Sequence, residues 1–305
     1  MRSQIMWSEA QRQAYIQLCE MGEVFFGIDW PQSSIKPRLD PLIVGPTGVG
    51  KSHLVRSVAE RLKMPLLRVS YGEWMVTGGR GHPTLTVVRD FVNASPKGII
   101  HIDEVDKART GFQTDWSIYT YTEMFFLLDR NIAPAAHKEK DAAALNRKLK
   151  EDYWVIGSGT WQALWDTMGK RTIGFGPAEE SHEDRCTGIT KLIQRKEIIP
   201  KELLKRFCSE LVIIPPPCET DFELAADIFG IEKLAKKLGI ELDYLQAVHS
   251  ESGARWLEET YGSLLMLAYR MGRSDLLQLR PEEPSSPEHP PFVDEGEWDP
   301  EIITE

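Results

Sequence analysis

The sequence predicts an α/β fold in which a parallel five-stranded sheet carries helices on both faces and a small helical domain follows. Three observations predict it. Short apolar runs alternate with helical stretches from Pro41 to Ile214, and strands separated by helices pair in parallel. Pro215-Pro216-Pro217 ends that alternation, and only helical periodicity follows it. A glycine-rich octapeptide, Gly45-Pro46-Thr47-Gly48-Val49-Gly50-Lys51-Ser52, joins the first strand to the next helix.

Taken in order, residues 8–22 form an amphipathic helix, and Pro31 and Pro37 punctuate the stretch after it. Leu42-Ile43-Val44 is the first strand. Leu54, Val55, Val58, Ala59 and Leu62 then mark one face of a helix. Leu66-Leu67-Arg68-Val69 is the second strand, residues 71–83 a glycine-rich loop, and Leu85, Val88 and Phe91 carry a further helix. Ile99-Ile100-His101-Ile102 is the third strand and 115–129 a long apolar helix, followed by a polar, charged segment over 134–151. Tyr153-Trp154-Val155-Ile156 and Leu211-Val212-Ile213-Ile214 complete the sheet. The last helix of the helical domain shows a stripe at Leu257, Tyr261, Leu264, Ala268 and Met271. The expected divisions are an N-terminal helical flank (1–40), a nucleotide-binding domain (41–215), a helical lid (216–280) and a tail (281–305).

Charge and composition narrow the function. The chain has 36 Lys and Arg against 46 Asp and Glu, a net charge of −10. Nine of the acidic residues and six of the prolines fall in 281–305, which has no Lys or Arg and is expected to be disordered. The rest is nearly neutral and offers no broad electrostatic track for a phosphate backbone. No apolar run approaches the ~20 residues of a membrane span, and the opening MRSQIMWSEAQRQ has no apolar signal-peptide core. A cytoplasmic location without membrane contact is expected. Cys19, Cys186, Cys208 and Cys218 have no metal-ligand spacing and are expected to be reduced thiols.

The octapeptide fits the GxxxxGK[ST] pattern, whose glycines let backbone N–H groups curl around phosphate oxygens at a helix N-terminus. Lys51 is expected to reach the β- and γ-phosphates of ATP, and Ser52 to ligate Mg²⁺. The third strand ends in Asp103-Glu104, 52 residues after Lys51. Two carboxylates closing an apolar strand need a partner or a metal. Asp103 suits a Mg²⁺ ligand held through water, and Glu104 suits a group that orients or activates the attacking water. His101, inside the strand, reads as a neutral hydrogen-bonded core residue.

With these residues in place, the chain from about Pro41 to about Met271 resembles the AAA+ ATPases: Gly45–Ser52 is similar to their Walker A motif and Ile99–Glu104 to their Walker B motif. The fold implied is a P-loop αβα sandwich with a helical lid. Three segments are similar to the ClpX and HslU unfoldases. Val155–Trp161 resembles their sensor 1 region, which implies that Ser158 bonds the attacking water or the γ-phosphate. Ile199–Phe207 resembles their arginine-finger segment, which implies that Arg206 enters the neighbouring subunit's site. Gly253-Ala254-Arg255 resembles their sensor 2, which implies that Arg255 faces nucleotide; two residues from Leu257 is ~200° around a helix, away from the apolar stripe.

The resemblance also implies a homo-hexamer acting on a protein substrate, with a pore loop between the second strand and the next helix. Trp74, Met75 and Val76 would form that loop; the other reading tucks Trp74 into the body. Arg80 is the basic group of that stretch, and His137, Lys138 and Lys140 fall where a second pore loop would lie or form a solvated charge run. Ile173, Gly174 and Phe175 resemble the loop that docks a ClpP-like peptidase. The expected function is a Mg²⁺-ATP-driven ring ATPase that remodels or unfolds proteins. A nucleic-acid motor or loader, and an ATP-dependent assembly switch, are the alternatives.

Overall fold

The computed structural model describes residues 6–27, 39–77, 83–107, 115–132, 142–169, 182–196, 198–207, 211–250 and 252–277. The strands are β1 (Leu42–Val44), β2 (Leu66–Ser70), β3 (Gly98–Asp103), β4 (Tyr153–Gly159) and β5 (Leu211–Ile213). They form one sheet in the order β2-β3-β4-β1-β5, and every pairing is parallel. The register brings the functional ends level: Val44 lies opposite Gly159 and Ile213, and Ser70 opposite Asp103.

Alternation along each strand splits the core in two. Ile43, Ile99, Trp154, Ile156 and Val212 pack with Leu18, Phe25, Leu54 and Val58 of the helices Glu9–Gly27 and Lys51–Arg61. Leu42, Val44, Ile100, Ile102, Tyr153 and Val155 face the other layer, with Leu85, Val88, Leu127 and Phe207. Both faces of the sheet are covered, which is why the strands read as continuous apolar runs. A third cluster joins Phe222, Leu234, Leu257 and Leu264 of the helical domain, and Trp7 belongs to it.

Four local expectations are corrected. The first helix extends to Gly27. The glycine-rich stretch opens as a helix, Tyr71–Thr77. The polar segment holds a helix, Ala142–Asp152, whose Leu145 and Leu149 are one turn apart and buried. In the last stripe Leu257, Leu264 and Ala268 are buried, but Met271 is exposed because the helix closes at Arg270. Among the described residues, no helix is long and apolar enough to cross a membrane.

Candidate functional site

The parallel register delivers the C-terminal ends of β1, β2, β3 and β4 to one edge of the sheet, where α/β proteins gather their ligands. Beyond β1, Gly48 and Gly50 take φ of 82° and 81°. That left-handed conformation is accessible to glycine, and alternating it with ordinary residues makes a concave row of N–H groups that suits an anion. Lys51, at the start of the next helix, donates from Nζ to the carbonyls of Gly45 (2.7 Å) and Pro46 (2.8 Å). Burial pushes its ammonium down to about 8, against the pull of Asp103, Asp106 and Glu104.

Asp103 is the hub. Its Oδ2 accepts Ser52 Oγ–H at 2.6 Å and two N–H groups of Arg68 at 3.0 and 2.8 Å. Its Oδ1 accepts Ser158 Oγ–H at 2.7 Å and the Glu104 N–H at 2.9 Å. Burial works against ionisation of Asp103, but the charge that His101 carries in the acid range where Asp103 titrates, together with the hydrogen bonds from Ser52, Ser158 and Arg68, outweighs it and holds the carboxyl well below its usual range. His101 Nε2 lies 2.8 Å from Ser158 Oγ. The single Ser158 proton goes to Asp103, so His101 carries its proton on Nε2 and donates it to Ser158. Burial, ahead of Arg68 and Lys51, lowers His101 to about 4 despite Asp103, so the ring is neutral, as the sequence indicates.

Glu104 takes a φ of 61°. Its Oε2 accepts Ser70 Oγ–H at 3.1 Å, and its Oε1 pairs with Lys107. The structure thus brings Lys51, Ser52, Asp103 and Glu104 together. Adjacent oxygens from Ser52 and Asp103 fit a hard cation that prefers oxygen ligands and keeps several waters.

Three of the remaining residues sit differently from their expected roles. Ser158 is fully buried, and its hydroxyl is spent between His101 and Asp103; it orients Asp103 instead of presenting a hydroxyl to a phosphate. Trp74 is 1% exposed, in the helix Tyr71–Thr77, and its Nε1–H donates to Glu123 Oε2 at 2.7 Å. The tryptophan expected in a channel is therefore a core residue of its own chain. Tyr71 and Trp74, three residues apart, lie on the same helix face and are both buried, and the indole N–H needs the partner that Glu123 supplies. Arg206 donates from Nε and Nη2 to both Asp129 oxygens at 2.9 Å and lies 4.0 Å from the centre of the Phe125 ring, so it is engaged within its own chain.

Arg255 is exposed near the start of the helix Ala254–Arg270. That helix start touches the glycine-rich loop directly: Ala254 N–H donates to the Gly48 carbonyl at 2.9 Å. A Cβ on Gly48 would lie 2.3 Å from the Ser252 carbonyl oxygen, so glycine is required by contact as well as by φ. Of Met75 and Val76 only the backbone is described. Arg80, His137, Lys138, Lys140, Ile173, Gly174, Phe175 and the tail 281–305 lie outside the described residues.

Arg68, Ser70 and Gln11 are site neighbours that the sequence does not mark out by motif. Arg68 did leave a signal, because an arginine inside an apolar strand requires a counter-charge. Leu66, Arg68 and Ser70 share one strand face, which places the last two beside Asp103 and Glu104.

A family model described as ATPase family associated with various cellular activities (AAA) matches residues 41–134. The chain is similar to the ATP-dependent protease ATPase subunit HslU of Helicobacter pylori (strain Shi470), 36% identical over 64 residues, which cover 21% of this chain and 14% of that protein. The HslU of Magnetococcus marinus is 32% identical over 74 residues, covering 24% and 15%. That of Helicobacter acinonychis is 36% identical over 64 residues, covering 21% and 14%. The matches thus span about one-seventh of the length of these relatives.

Proposed function

We propose that the chain, which the AAA family model matches over residues 41–134 and which is similar to HslU over a short stretch, is an AAA+ ATPase of the Clp/HslU type that hydrolyses Mg²⁺-ATP and uses the cycle to remodel a protein or protein complex. One observation carries the chemistry: Ser52 Oγ lies 2.6 Å from Asp103 Oδ2, with Lys51 beside Ser52 and Glu104 next to Asp103. Gly45, Pro46, Thr47, Gly48, Val49 and Gly50 would wrap the phosphates, and Lys51 would neutralise them. Ser52 and Asp103 would hold Mg²⁺, which would supply charge neutralisation on the phosphate oxygens. Ser158 and His101 fix the rotamer of Asp103. Glu104 would accept a proton from the attacking water, and Ser70 and Lys107 set its position.

Arg206 would serve the site of a neighbouring subunit once it leaves Asp129, and Arg255 would approach the nucleotide from the helical domain. A shared site requires a head-to-tail assembly, and the Clp/HslU resemblance supports a cytoplasmic homo-hexamer as its form. The relatives are named as ATPase subunits of an ATP-dependent protease, and a peptidase partner for this chain rests on that alone. A second reading, an ATP-dependent assembly switch that threads nothing, is favoured by the burial of Trp74.

The test uses Glu104→Gln, whose amide keeps the shape of the carboxylate but is not a base. This variant is expected to retain nucleotide binding, lose turnover and hold its protein target through purification. Wild-type ATPase stimulated by unfolded protein supports remodelling, and stimulation by a defined assembly partner alone supports the switch. Near-normal turnover by Glu104→Gln would refute the catalytic assignment.

A further inference from the structure

The concave face of the phosphate loop depends on two hydrogen bonds made to its outer side. The Val49 carbonyl accepts Gln11 Nε2–H at 2.6 Å, and the Gly48 carbonyl accepts Ala254 N–H at 2.9 Å. A trans peptide unit is planar, with its N–H directed opposite to its C=O. Drawing these two carbonyls outward therefore turns the N–H groups of Val49 and Gly50 inward, where an anion would sit.

Gln11 is built for this task. It is 1% exposed in the helix Glu9–Gly27, an unusual place for a polar amide. Its Oε1 accepts the backbone N–H of Trp7 at 3.0 Å, which assigns the amide orientation: oxygen toward Trp7 and nitrogen toward Val49. Space is as tight as the bonding, since a Cβ on Gly50 would lie 2.6 Å from Gln11 Nε2.

Trp7 does not belong to the sheet's core. It packs in the helical domain, its ring centre 5.6 Å from that of Phe222, which is in turn 5.5 Å from that of Trp256. Trp256 lies two residues beyond Ala254, the donor to Gly48. Both holds on the loop thus lead back to one packed unit, the first through Trp7 and Gln11 and the second directly.

We propose that Gln11 is a positioning residue for nucleotide phosphates, and that the Trp7–Gln11 pair makes the loop's phosphate affinity depend on how the helical domain is seated. If that domain shifts away from the sheet, Ala254 withdraws from Gly48 and Trp7 pulls on Gln11. The Val49–Gly50 peptide then turns freely, and the anion-binding form is only fractionally populated. Apparent affinity falls by that fraction. Linkage requires the converse, so bound phosphate holds the helical domain in place. The proposal rests on the nucleotide-site reading above.

The experiment measures binding of a fluorescent ADP analogue and its displacement by ATP, with Mg²⁺, on the full chain. Gln11→Glu keeps the volume and the acceptor for Trp7 N–H but puts an anion where Val49 needs a donor. Affinity for both nucleotides is expected to fall about tenfold, the scale of one unsatisfied buried carbonyl. If this variant does not fold, Gln11→Met, neutral and of similar size, takes its place. Trp7→Ala is expected to weaken binding several-fold. The Trp7→Ala, Gln11→Glu double variant is expected to bind no more weakly than Gln11→Glu alone, because one path has already been cut. Losses that multiply in the double variant would overturn the relay, and wild-type affinity in Gln11→Glu would overturn the role of Gln11. If the wild-type chain binds neither nucleotide, the nucleotide-site reading itself fails, an outcome distinct from both.

Discussion

Removing Arg68 separates what the chain's own residues contribute to holding Asp103 from what a bound Mg²⁺-nucleotide would contribute. The guanidinium makes two hydrogen bonds, at 3.0 and 2.8 Å, to the Asp103 oxygen that also accepts Ser52. The Asp103 side chain is 6% exposed and that of Arg68 50%. A hydrogen bond to a charged group contributes about 1.5–3 kcal/mol. With half of Arg68 in water the whole pair is discounted to about 2 kcal/mol. Arg68→Ala is therefore expected to lower the melting temperature of the nucleotide-free protein by about 4 °C, at roughly 2 °C per kcal/mol for a chain of this size. A Mg²⁺ ion at Ser52 and Asp103 would take over the role of the guanidinium, so the deficit should close when Mg²⁺ and a slowly hydrolysed ATP analogue saturate the site. Differential scanning fluorimetry of both proteins, with and without ligand, measures the four values. An equal drop in both states would refute the reasoning and make Arg68 a purely structural ion pair. No drop in either state would show that water replaces it at no cost.

Two further outcomes follow from the same geometry. Arg206→Ala is expected to bind nucleotide normally and lose turnover by about 10³-fold or more. Mixing it with Glu104→Gln subunits should restore part of the rate in a steady-state ATPase assay, since each supplies what the other lacks; full activity in Arg206→Ala alone would reduce Arg206 to its bond with Asp129. Lys51 has a pKa lowered to about 8, so the unfolded chain holds more protons above that pH and this group's contribution makes stability rise from about pH 8 up to the ordinary lysine value near 10.5. Phosphate restores the ammonium, so nucleotide binding near pH 8–9 should take up a proton, read by calorimetry in buffers of different ionisation enthalpy and lost in Lys51→Met.

The sheet and the glycine-rich loop after β1 are legible because each rests on local signals. A buried parallel strand must be apolar along its length, and a phosphate loop needs its glycines and lysine in fixed order. Asp103 and Glu104 were legible because carboxylates rarely close an apolar strand without a purpose. The partners of those groups were not. Gln11 is 38 residues from Val49, and Arg206 is 77 residues from Asp129; only the fold brings each pair together. For Trp74 the nearby glycines suggest a loop, while the Tyr71–Trp74 spacing and the distant Glu123 place it on a buried helix face. The strand-end place of Ser158 is legible in the sequence, but its bonds to residues 55 and 57 positions earlier are not.

The backbone at Glu104 has a consequence for how this sequence tolerates change. A φ of 61° is uncommon for a glutamate and costs roughly 1–2 kcal/mol relative to glycine. Glycine, and to a lesser degree asparagine, would relax that turn and remove the carboxylate together. Selection for heat resistance alone would therefore drift this position away from glutamate toward a sturdier, inert protein. A lineage kept for its chemistry must instead hold the strained residue and find its stability at other positions.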